Sequence, residues 1–132
     1  MSAECDKEEY SYYEEIVLKI TLENTADKEI IYYDSSEKRD FIFSVKNEKG
    51  KDTPLTEYGK LVTRKDMLVW YRNVRIMLVK GQPMEYSVPI NSMYDMSIGG
   101  KYTISVSRSD IIQVNKKQME IKSNTISVKI SK

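Results

Sequence analysis

Histidine is missing from this sequence of 132 residues, and cysteine occurs once, as Cys5. The first absence removes every histidine-based catalytic triad and leaves a poor donor set for zinc. The second excludes an internal disulfide, and a thiol nucleophile would need a base the chain does not carry. No stretch is long and apolar enough to cross a bilayer as a helix, so no membrane insertion is expected. Charge of one sign is also lacking. With 21 basic and 20 acidic side chains the formal charge is +1, which gives no field to draw nucleic acid or an anionic membrane. Gly99-Gly100-Lys101 lacks the preceding glycines and the strand-loop-helix setting of a phosphate loop. Pairs of carboxylates (Glu14 with Glu15, Asp34 with Glu37) sit in polar segments that would not raise a proton affinity toward neutrality. Calcium through Asp27, Asp34 or Asp95 lacks a DxDxG-type run. No enzymatic activity, metal or cofactor is expected.

What is present is the period-two pattern of half-buried strands. Ile16, Leu18, Ile20 and Leu22 alternate with Val17, Lys19, Thr21 and Glu23, and similar one-sided rows are formed by Phe41, Phe43 and Val45, then Met84, Tyr86, Val88 and Ile90, then Ile126, Val128 and Ile130. Residues 29–33 (EIIYY) read as a strand of undecided register, and residues 67–71 (MLVWY) as a buried strand or covered edge. Pro54 and Gly59 mark residues 53–62 as an edge or bulged excursion. Residues 91–97 fit one helical turn between sheets, 109–118 a polar connection, and 121–130 the last strand. Residues 1–9 are acidic and aperiodic and are expected to be a mobile terminus ahead of one domain, 10–132. The expected fold is all-β, a sandwich of two mostly antiparallel sheets with roughly seven to nine strands.

The organising stretch is residues 93–108, MYDMSIGGKYTISVSR. Tyr102, Ile104 and Val106 line one face of a strand that follows a tight turn at Gly99-Gly100. Asp95 would accept from the backbone N–H of Ser97 or Ile98, and Tyr102 would be a corner tyrosine whose hydroxyl reaches the backbone of residues 91–97. Asp95, Gly100 and Tyr102 are therefore the candidate structural corner.

Ten tyrosines and one tryptophan are the other unusual feature. Tyr10, Tyr12 and Tyr13 crowd before the first strand, and Trp70, Tyr71 and Arg72 form a second aromatic-cationic group. Aromatics with a polar handle serve both sheets and protein interfaces, so these six are the candidate interaction surface.

With Tyr94-Asp95-Met96-Ser97, Gly100-x-Tyr102 and the upstream segment 53–59 (TPLTEYG), the chain resembles immunoglobulin-like modules of exported bacterial proteins. It is similar to the non-catalytic domain that precedes deuterolysin-like metallopeptidases, over roughly residues 16–108. The zinc-binding helix of those peptidases is absent, so no activity carries over. The resemblance implies an immunoglobulin-like sandwich acting as a non-catalytic accessory or protein-binding module of the cell envelope or extracellular space, its leader removed. A cytoplasmic location stays open. Cys5 is a candidate lipid anchor, although Glu4 before it is not the small residue of a lipoprotein cleavage site. The expected partner is a protein, including a second copy of the chain through an edge strand. Two alternatives are a peptidase inhibitor using loops 34–40, 47–53 and 90–100, and a carbohydrate-binding module stacking Trp70 and Tyr71 on sugar rings.

Overall fold

The structure, a computed structural model, describes residues 1–64, 74–113 and 118–131. The strand expected at 67–71, and with it Trp70, Tyr71 and Arg72, lies outside the described residues. In chain order the strands are β1 (Ser2–Cys5), β2 (Glu9–Ser11), β3 (Val17–Leu22), β4 (Ile30–Asp34), β5 (Ile42–Lys46), β6 (Val74–Leu78), β7 (Met84–Pro89), β8 (Gly100–Gln113), β9 (Gln118–Lys122) and β10 (Ile126–Ser131). Three short helices, α1 (Glu37–Asp40), α2 (Glu57–Val62) and α3 (Ile90–Met93), interrupt them. The fold is all-β. One sheet has the order β1-β3-β7; the other runs β2-β10-β8-β4-β6, with β5 and β9 also paired to β8. Every pair is antiparallel except β10 with β2.

The alternating rows meet between the sheets. Leu18, Ile20, Leu22 and Val88 from one face Tyr32, Val45, Tyr102, Ile104, Val106 and Val128 from the other, all buried. Each such aliphatic side chain contributes roughly 1.5–3 kcal/mol by leaving water.

β8 is the axis of the larger sheet. Its near half pairs with β10 on one flank (Tyr102 opposite Val128) and β5 on the other (Val106 opposite Phe43). Its far half pairs with β9 (Ile111 opposite Met119) and β4 (Ile112 opposite Ile31). β4 and β5 thus share a flank, and the chain between them leaves the sheet as α1.

Several expectations are corrected here. Residues 1–9 are not a loose tail: β1 pairs with β3, and the Asn124 amide brackets Ala3, its Oδ1 accepting from Ala3 N–H (2.9 Å) and its Nδ2 donating to Ala3 O (3.0 Å). A three- or four-residue strand carries a single inward residue (Ala3, Tyr10), too few to show a period. Residues 57–62 are helical because Thr56 caps them, accepting from Gly59 N–H at 2.9 Å. Gly59 lets α2 lie against α3, where a Cβ would collide with Met93 O.

The polar connection after Arg108 is instead the far half of β8, continued past a bulge between Arg108 and Ile111. The last strand is two, parted at residues 123–125. There Ser123 replaces the ladder, its N–H donating to Val106 O (2.8 Å) and its hydroxyl accepting from Val106 N–H (2.9 Å). These extra elements bring the described strands to ten, above the seven to nine expected.

Candidate interaction surfaces

The strongest polar assembly lies where α1 leaves the sheet. The inward row Tyr102, Ile104, Val106 continues onto Arg108, which is 0% exposed. Its Nη1 donates to Asp34 Oδ1 (2.9 Å), its Nη2 to Tyr33 O (2.7 Å) and Asp110 Oδ2 (2.9 Å), and its Nε to Asp110 Oδ1 (2.6 Å). The guanidinium lies over the Tyr32 ring at 4.5 Å and the Phe41 ring at 4.9 Å. Tyr86 donates to Asp34 Oδ2 (2.6 Å), which leaves the Tyr32 hydroxyl to donate to Tyr86 (2.8 Å).

Burial opposes the charge on Arg108, but the hydrogen bonds and charges of Asp110 and Asp34 outweigh it and hold the cation protonated. Burial, then the bond to Asp34, raises the Tyr86 phenol well above its ordinary range. Each of the four carboxylate oxygens has a partner, so the network acts as a clamp holding β4 to β8. Sequence reasoning missed it. The available signal was an arginine falling on the inward parity of a strand.

At the expected corner, Asp95 Oδ1 accepts from Ser97 N–H (3.1 Å) and Ser97 Oγ (2.5 Å), which pulls its carboxyl below the usual range. Gly100 has φ +131° and faces the Glu48 carboxylate, which accepts from Lys101 N–H at 2.8 Å. Tyr102 is buried and its hydroxyl donates to Ile98 O at 2.5 Å, one residue beyond the expected segment.

The aromatics of the amino end separate. Tyr10 is buried, donating to Asp6 Oδ1 (2.6 Å) and accepting from Lys7 N–H (3.1 Å), so it offers no surface. Tyr12 is half-buried, its hydroxyl packed where a Cβ on Gly99 would stand. Tyr13 alone is presented to solvent. Cys5 is a half-buried residue of β1, opposite Leu18, and burial pushes its thiol up to about 11. Of the three candidate loops, 47–53 and 90–100 meet through Glu48 and Lys101, whereas 34–40 folds as α1 beside Arg108.

The outer faces differ in chemistry. Along the near half of β8, Thr103 and Ser105 stand beside Lys46, Ser44 and Ser127. Along the far half, Ile112 stands beside Ile31, itself opposite Met77, with Tyr33 next on β4. Ile112, Met77 and Tyr33 are exposed. The outer face of the smaller sheet carries the ion pairs of Lys19 with Glu85 (3.4 Å) and Glu4 (4.0 Å).

Sheet edges are blunted. Asn124 occupies the free side of β1, and Glu14 accepts from Ser11 N–H (3.0 Å) on β2. On β7, the bond from Ile90 N–H to Ile16 O fixes the alternation, so that Glu85, Ser87 and Pro89 turn their backbone outward. Pro89 has no donor to offer there.

No curated protein matches the chain. A family model does, the N-terminal domain of flagellar collar protein C, over residues 5–131, which takes in nearly every strand described above. The chain therefore belongs to the family of flagellar collar protein C N-terminal domains.

Proposed function

We propose that the chain is a non-catalytic structural domain of a flagellar collar, working through contacts with neighbouring proteins at the cell envelope. The family match over residues 5–131 is the observation that carries this reading. The geometry supports it: the polar network around the buried Arg108 clamps strands together, and exposed apolar side chains are displayed on the sheet. An immunoglobulin-like version of the sandwich is part of the proposal, supported by the bond from the Tyr102 hydroxyl to Ile98 O.

The test is fractionation of flagellar basal bodies from the source cells, with immunogold labelling of the chain and a deletion strain alongside. The reading predicts the chain in the basal-body fraction, label on the collar, and a collar that is lost or incomplete in the deletion. A chain absent from that fraction, or an intact collar without it, would overturn the reading.

A further inference from the structure

Tyr13 combines two costs that no contact beyond its ring neighbour Tyr12 offsets among the described residues. Its φ is +69°, and no other described non-glycine residue has a positive φ. It occupies the third position of a turn closed by Glu14 N–H donating to Ser11 O (3.2 Å), a place that favours glycine or asparagine. Its side chain is 105% exposed, and its ring neighbour Tyr12 stands 6.5 Å away at a tilt. The turn is nevertheless pinned from several sides. Asn91 Nδ2 donates to Glu14 O (2.8 Å), Asn91 Oδ1 accepts from Ile16 N–H (2.9 Å), and the Lys7 ammonium pairs with the Glu14 carboxylate. A rigid turn that strains its backbone to display an aromatic ring has the form of a pre-organised anchor.

The same end of the molecule carries a cavity of about 210 Å³ whose lining includes Thr53, Pro54, Ile98 and Tyr102 together with two lysines, Lys49 and Lys101, and two carboxylates, Glu48 and Asp95. Ile98 is 78% exposed, and the buried Thr53 hydroxyl has no hydrogen-bond partner among the described residues. The cavity has room for a phenol side chain.

Unpaired charges of opposite sign stand near the knob and the socket. Glu15, beside Tyr13, has no ion pair among the described residues, and neither do Lys49 and Lys101. Glu48 and Asp95 line the same cavity and keep their charge, Glu48 accepting from Lys101 N–H and Asp95 from Ser97. Asp95 lines both this cavity and the groove beside Tyr13, so knob and socket adjoin on one surface. Adjoining complementary features suit an exchange about a two-fold axis, each copy giving its knob to the other's socket.

We propose that the chain pairs with a second copy of itself, Tyr13 of each seated in the Pro54–Ile98–Tyr102 cavity of the other, with Glu15 facing Lys49 and Lys101. This goes beyond the collar assignment, which the basal-body experiment tests separately.

The experiment is light scattering and sedimentation equilibrium of the full chain over a wide concentration range. Wild type is expected to dimerise. Tyr13→Gly, whose backbone suits the turn, and Ile98→Arg, at an exposed position that blocks the cavity, should each weaken the dimer at least about tenfold while keeping a cooperative melt. An equimolar mixture of the two should recover heterodimer, because the Ile98→Arg chain keeps an intact knob and the Tyr13→Gly chain an intact socket. A wild type that stays monomeric, variants that dimerise as wild type does, or a mixture that fails to recover would overturn the proposal.

Discussion

The two halves of β8 are one strand built under two rules. The near half, Tyr102 to Ser107, buries an alternating aromatic-aliphatic row and shows lysine and hydroxyl groups outward, and its flanks β5 and β10 are in regular register. The far half begins at a buried arginine, passes through a bulge, and shows Ile112, Ile31 and Met77 outward. Apolar packing fixes the near half. The far half depends on a charged network in which the loss of any one member strands the others. It is also the half whose outer face has apolar surface to offer a neighbour.

The sharpest way to break the contrast is at Arg108. Arg108→Ala would leave the half-buried Asp34 and Asp110 without their cation beside a cavity, at a cost of about 3–5 kcal/mol read as a lower urea midpoint. The matched change in the near half, Tyr102→Phe, keeps the ring and orphans Ile98 O, with an expected loss of roughly 1–3 kcal/mol. Equal midpoints for wild type and Y102F would remove the corner role of that hydroxyl.

Alkaline titration sharpens the contrast further. Burial, with the bond to Asp34, raises Tyr86; burial also raises Tyr32, Tyr102 and the Cys5 thiol. Groups whose folded pKa lies above the unfolded value stabilise the fold fully below the unfolded pKa, and that contribution is lost as pH rises through the folded one. Urea midpoints should therefore hold steady up to pH 9.0, the ordinary thiol value, decline as Cys5 titrates toward about 11, and decline further above 10.0, the ordinary phenol value. Tyr86→Phe should flatten part of the decline, and an unchanged profile would count against the buried phenol network. The smallest effect is expected from Met77→Lys on the exposed apolar row, within about 0.5 kcal/mol of wild type by thermal melt. A larger loss would mean that this face is covered within the chain.

The near half was legible in the sequence because its physics is local. Alternation at Tyr102, Ile104 and Val106, and in the rows of β3 and β10, reports burial directly. The far half was not. Arg108 has the right parity but the wrong chemistry for a core residue, and its partner Asp34, to which Tyr86 is bonded in turn, is 74 residues away in sequence, so nothing local shows that they meet. Tyr10 and Tyr13 look alike in sequence, yet one is buried with its hydroxyl on Asp6 and the other is fully displayed, a division made by the turn in which Tyr13 sits. Helix α2 hid behind a proline and a glycine that read as strand breakers; the capping threonine between them was the better signal.

Native-state hydrogen exchange on Arg108→Met, a variant that fills volume without the charge, tests the central claim most directly. If the arginine clamp holds the far half alone, amides of Ile31, Tyr33 and Ile112 lose protection in a sub-global opening, while those of Tyr102, Ile104 and Val128 keep theirs relative to global unfolding. Uniform loss across both halves of β8 would contradict the account and make the strand one cooperative unit.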